Sequence, residues 1–114
     1  MKFRLTDGIA FEVGGVKGHA VTAQAGIKSG DVASLQVDGR HGRVKTTLSD
    51  RFYYVVAGSG TFHIGQDAFE VTDGDVLVVP RDTTYDFEGK MELVLFSSPA
   101  FDPTKEVFLE NAES

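Results

Sequence analysis

The stretch Gly74-Asp75-Val76-Leu77-Val78-Val79-Pro80 decides how this chain is read. A Gly preceded by Asp73 marks a turn, four branched or aliphatic residues follow, and a proline ends the run, which is the signature of a short buried strand entered from a hairpin. Upstream, Phe52-Tyr53-Tyr54-Val55-Val56 closes on Ala57-Gly58 and supplies an aromatic and branched partner for it. Working outward, Gly and Asp punctuate the chain at close intervals, as at Asp7-Gly8, Gly14-Gly15, Gly30-Asp31 and Asp38-Gly39. That rhythm predicts an all-β sandwich or barrel.

The expected strands are Phe3–Thr6, Ala10–Val13, His19–Ala23, Ala33–Val37, Arg43–Leu48, Phe52–Ala57, Gly60–Ile64, Asp67–Val71, Val76–Val79, Thr84–Phe87 and Met91–Ser97. Gly58-Ser59-Gly60 reads as a hairpin turn. Residues Pro103 to Asn111 fit either a short closing helix or an edge strand, because Pro103 opens helices and Val107 and Leu109 alternate.

The 114 residues suffice for one domain and its core. Within it the expected division is residues 1–32 as N-terminal strands, 33–101 as the barrel core and 102–114 as a C-terminal extension. A net charge of -6 disfavours a nucleic-acid partner. No apolar run approaches the roughly 20 residues of a membrane helix, so no membrane partner is expected. Cysteine is absent, which removes disulfides and thiolate chemistry. A cytoplasmic protein is the expectation.

The Gly-strand-Pro layout resembles the cupin superfamily. The first cupin motif runs Gly, five residues, His, one residue, His, three or four residues, Glu, six residues, Gly. Its frame falls on Gly39 to Gly58 with no gap, and the Gly and Pro of the second motif fall on Gly74 and Pro80. The ligand positions read Lys45, Thr47, Arg51 and Tyr85, and the second-motif glycine position reads Asp82. The resemblance implies a jelly-roll β-barrel of two packed antiparallel sheets, here with six to eleven strands, and implies that these four side chains point inward.

Lys and Arg repel a divalent cation and offer only donors, so neither a metal nor another cofactor is expected. His19, His41 and His63 form no metal-binding pair in sequence, although three separate strands leave open a convergence in space. The ligand-binding candidates are Lys45, Thr47, Arg51 and Tyr53, suited to an anionic or polyhydroxylated small molecule. Alternatively, Arg51 pairs with Asp50, Asp82 or Asp86 and Lys45 reaches the rim. In the binding reading, removing Arg51 abolishes affinity and leaves the melting temperature within a few degrees.

Metal-free cupins include epimerases and isomerases, so the resemblance also implies an enzyme reading: an isomerase, epimerase or lyase on a sugar or small carboxylate. Tyr85 and His63 are then the catalytic candidates and Arg51 orients the substrate. Parity further sets Phe52, Tyr54 and Val56 on outward positions of one strand and Phe3 and Leu5 on those of another. Either the N-terminal strands or a second subunit covers them, and a homodimer is expected.

Overall fold

A computed structural model describes residues 1–111. Nine strands follow in order: β1 Ile9–Val13, β2 Val16–Ala20, β3 Asp31–Arg40, β4 Gly42–Thr46, β5 Asp50–Ile64, β6 Asp67–Thr72, β7 Val76–Val79, β8 Thr84–Ser98 and β9 Glu106–Asn111. Among the described residues the one helical element is a single 3-10 turn over Pro103–Lys105, capped by the Asp102 side chain, which accepts from the Thr104 N–H. The C-terminal stretch therefore combines a helical turn with an edge strand. Residues 112–114 of the expected extension lie outside the described residues.

All pairings are antiparallel and the sheet curls around β8. One edge of β8 takes β3, from Asp31↔Ser97 to Arg40↔Glu88, and then β4 at Val44↔Tyr85. Its other edge takes β5 from Asp50↔Ser98 to Ile64↔Tyr85. Beyond β5 lie β7 and β6, beyond β3 lie β2 and β1, and β9 closes on β4. This is the expected all-β cupin barrel. The core is the inward side of these strands, with Val44, Tyr53, Val55, Phe62, Val79, Tyr85, Phe87 and Leu93 each nearly inaccessible. The Val76–Val79 strand has the bounds its sequence predicts, facing Phe52 and Tyr54 through Phe52↔Val78 and Tyr54↔Val76.

Three expectations are corrected. Phe3–Thr6 is not a strand: the Asp7 N–H donates to the Arg4 carbonyl and the Arg4 N–H to the Asp7 carboxylate, closing a turn. Gly58-Ser59-Gly60 is not a hairpin turn but lies inside the continuous β5, pairing with β6 and β8 together. Glycine is needed here because a Cβ on Gly58 or Gly60 would sit 2.3 Å from a β8 carbonyl, and Gly58 has φ +98°. Likewise the two segments expected at Thr84–Phe87 and Met91–Ser97 are one strand that passes through Gly89 at φ +142°.

A bulge at Val56 matters most for the site. Val55 faces Leu93 and Ala57 faces Glu92, so Val56 is the extra residue and the inward parity of β5 changes there. Before it Arg51, Tyr53 and Val55 are buried; after it Phe62 is.

Candidate functional site

Across the barrel interior β5 and β8 bring Arg51, Tyr53 and Tyr85 together. Tyr53 and Tyr85 are each 1% exposed. Arg51 Nη1 donates to the Tyr85 hydroxyl at 2.7 Å, and the Tyr53 hydroxyl donates to the same oxygen at 3.0 Å. Arg51 Nη2 donates to Glu106 Oε1 at 2.7 Å in a pair whose side chains are 6% and 7% exposed. Arg51 thus finds its carboxylate on β9, and not at Asp50, which pairs with Arg81, or at Asp86, which pairs with Arg40. The Phe101 ring lies over the guanidinium with its centroid 5.3 Å away.

Burial opposes the charge on Arg51, yet Tyr85, Tyr53 and Glu106 outweigh it and raise its affinity for the proton. Burial likewise pushes both phenols upward, Tyr85 well above its usual range, with Arg51 pulling the other way. Both tyrosines are neutral near pH 7.

Beside them sits His41, between β3 and β4. Gly39 at φ +122° and Gly42 at φ +107° bracket it and let the chain turn there. Asp86 fixes this break, accepting from the Gly42 and Phe87 N–H groups and from Arg40 Nε. The imidazole stacks on Phe87 at 4.7 Å and on Tyr85 at 6.1 Å. Nδ1 lies 2.8 Å from the Gly42 carbonyl. A carbonyl only accepts, so Nδ1 carries the hydrogen and the Nε2 lone pair is left for other chemistry. Burial lowers the His41 pKa, with the Gly42 bond opposing, so the ring is neutral near pH 7.

The other sequence candidates lie elsewhere. On β4 the buried residues are Val44 and Thr46, so Lys45 and Thr47 belong to the opposite face and do not point into the barrel. The motif frame placed them one residue out of phase with burial, and an inward Lys45 would bury an ammonium at high cost. Thr47 is exposed and acts on the fold, its hydroxyl and N–H both donating to the Lys105 carbonyl next to Glu106. His63 also points away from the phenols. The Val56 bulge turns Phe62 inward and leaves His63 exposed, 3.7 Å from Glu88, in an open groove of about 960 Å³ shared with Arg40, Arg43 and Asp86.

Among the described residues no three His, Cys, Asp or Glu side chains form a group that could hold an ion, so His19, His41 and His63 do not converge. The inward positions near the family's ligand frame, Val44, Thr46, Arg51 and Tyr85, do not fit a divalent cation, because the one charged member is a guanidinium. His41 and Glu106 are the site members that sequence reasoning missed. A His bracketed by glycines at a strand break was a local signal; Glu106 joins Arg51 across 55 positions and left none.

Barrel and site together have the cupin fold without the superfamily's usual metal ligands. Among solved structures it is similar to Pac13 from Streptomyces, described as a unique nucleoside dehydratase, at 26% identity and a TM-score of 0.87, covering 97% of this chain and 92% of that one. A tyrosine-to-phenylalanine variant of the Streptomyces protein with uridine aligns at 27% identity and a TM-score of 0.88, over 97% and 91%. A second such variant and a histidine-to-glutamine variant, both with uridine, align comparably. KdgF from Halomonas shares the fold at 19% identity and a TM-score of 0.74, over 90% and 96% of the two chains. No protein-family model and no curated protein matches the sequence.

Proposed function

We propose that this chain is a single-domain, metal-independent cupin that binds an uncharged polyhydroxylated molecule of nucleoside type and eliminates water from it. The observation that carries the reading is a neutral imidazole with a free Nε2, stacked against Phe87 and against Tyr85, whose hydroxyl accepts from that of Tyr53. The similar Streptomyces structures carry changes at two tyrosines and one histidine, the same complement of side chains found together here. Of the two expected ligand classes the neutral one is favoured. Glu106 already balances Arg51, and Lys45 is on the other face, so no net positive charge remains to hold an anion.

An imidazole takes a proton from carbon when an adjacent carbonyl acidifies it. In this reading His41 Nε2 accepts that proton, the electron pair forms the new double bond, and the β-hydroxyl departs. The Tyr85 oxygen already accepts from Arg51 and Tyr53, so its own proton is the one directed to the leaving oxygen, which departs as water. Arg51 and Tyr53 then stabilise the phenolate. The imidazolium returns its proton to Tyr85 and restores the site. The direct test is calorimetric titration with uridine: saturable binding supports the reading, and no heat at millimolar uridine overturns it.

The expected homodimer belongs to the same proposal. Phe52, Tyr54, Val56, Val76, Val78 and Phe96 form one outer face of β7, β5 and β8, each between 39% and 60% exposed. The N-terminal segment reaches only as far as β3, where Ser34 donates to the Leu5 carbonyl, and leaves this face open. Together these side chains form one exposed apolar patch, the kind of surface that homodimers bury in their more apolar interfaces. A surface with no charge of its own is matched by a second copy of itself. Light scattering should give twice the 12.3 kDa chain mass. Val78→Lys should give the single chain; a wild type that is monomeric at tens of micromolar overturns the dimer.

A further inference from the structure

The ion pair at the base of the site is half used. Arg51 spends Nη1 on Tyr85 and Nη2 on Glu106 Oε1, while Arg51 Nε and Glu106 Oε2 have no hydrogen-bond partner among the described residues. Both atoms are hidden from solvent, on side chains more than nine-tenths buried. A buried polar atom left without a partner is costly, and more so when its group is charged, so two on one ion pair are an unmet demand of the fold.

We propose that Arg51 Nε and Glu106 Oε2 together seat one hydroxyl group of the ligand. The chemistry selects the class. Nε–H only donates and Oε2 only accepts, so the group between them must accept and donate at once, which a hydroxyl does with a single oxygen. A carboxylate or phosphate would satisfy Arg51 and be repelled by Glu106. An ammonium would satisfy Glu106 and be repelled by Arg51.

The route to the seat is through Phe101. Its ring covers the guanidinium but is 46% exposed, so only one side of it is packed. The backbone around it is anchored: the Phe101 N–H donates to Asp31 and the Ala100 N–H to the Lys28 carbonyl. Phe101 lies over the guanidinium, and a ligand that seats its hydroxyl on the ion pair displaces that ring.

This inference rests on the polyhydroxylated-ligand reading above and names which protein atoms read one of its hydroxyls. The test is calorimetric titration of the full chain with uridine, 2′-deoxyuridine and 3′-deoxyuridine. One deoxy analogue should bind 10- to 100-fold more weakly than uridine and the other within about threefold. In Glu106→Gln, checked for folding by circular dichroism, that discrimination should fall below threefold. Equal affinity for all three ligands overturns the seat and leaves the nucleoside reading standing. Discrimination that persists unchanged in folded Glu106→Gln also overturns the seat, since another residue then reads the hydroxyl. Absence of uridine binding overturns the underlying reading and the seat with it.

Discussion

Arg51→Ala should lower the unfolding free energy by about 3–5 kcal/mol, because it strands the Glu106 carboxylate in a buried site with no cation. For a chain of 114 residues this is a fall in melting temperature of roughly 10–20 °C. The expectation from sequence is the opposite, a variant that loses affinity and keeps its stability, because that reading gives the inward Arg51 to a ligand and not to a buried carboxylate. The double variant Arg51→Met, Glu106→Leu separates the two accounts. Removing both charges leaves neither orphaned, so its melting temperature should recover most of the loss. Thermal denaturation followed by circular dichroism reads both variants. A single variant melting within about 3 °C of wild type would show that Glu106 is not held in the interior.

His41→Gln should cut turnover by about 10²- to 10⁴-fold, the usual contribution of a positioned base, while uridine affinity changes little. The assay uses a nucleoside oxidised to a carbonyl on its sugar, with loss of one water followed by mass. The pH dependence carries the sign. A protonated imidazole cannot accept a proton, and burial holds the His41 pKa below 6.5, so kcat/KM should stay level through neutrality and decline only on the acid side of that value. The same shift acts on stability. Between the lowered folded pKa and the ordinary unfolded one the unfolded chain binds more protons, so stability is full above 6.5 and is lost as the pH falls through that window. An acid limb at or above 6.5 would contradict a buried, neutral His41.

How far the chain could be read depended on whether a feature was local. Val76–Val79 carries its own turn, branched run and terminator, so its limits were legible. The shared face of Arg51, Tyr53 and Val55 followed from alternation alone. Alternation failed at Val56, because a bulge is set by what two strands need to stay in register and not by the residue that bulges. The same failure moved His63 outward and concealed that Phe62 faces Phe87. Gly58-Ser59-Gly60 looked like a turn because its glycines suit one. What they relieve is close backbone approach to β8, which involves residues about 30 positions away. Lys45 and Thr47 were misplaced for a different reason: a motif frame transfers spacing, whereas burial decides which side chain faces the core. Glu106 lay beyond reach, since its value to the site comes entirely from Arg51.

The position of β8 has a consequence for how the chain is made. Of the nine described strands it is the eighth to leave the ribosome, yet it is the central member of the sheet, joining β3 and β4 on one side to β5 on the other. Until residue 98 has emerged, β3 and β5 have no common partner. Strands of high apolar content then wait with open edges, the condition under which nascent β proteins are captured by chaperones or by one another. Folding therefore waits for one incoming strand, which closes two seams together.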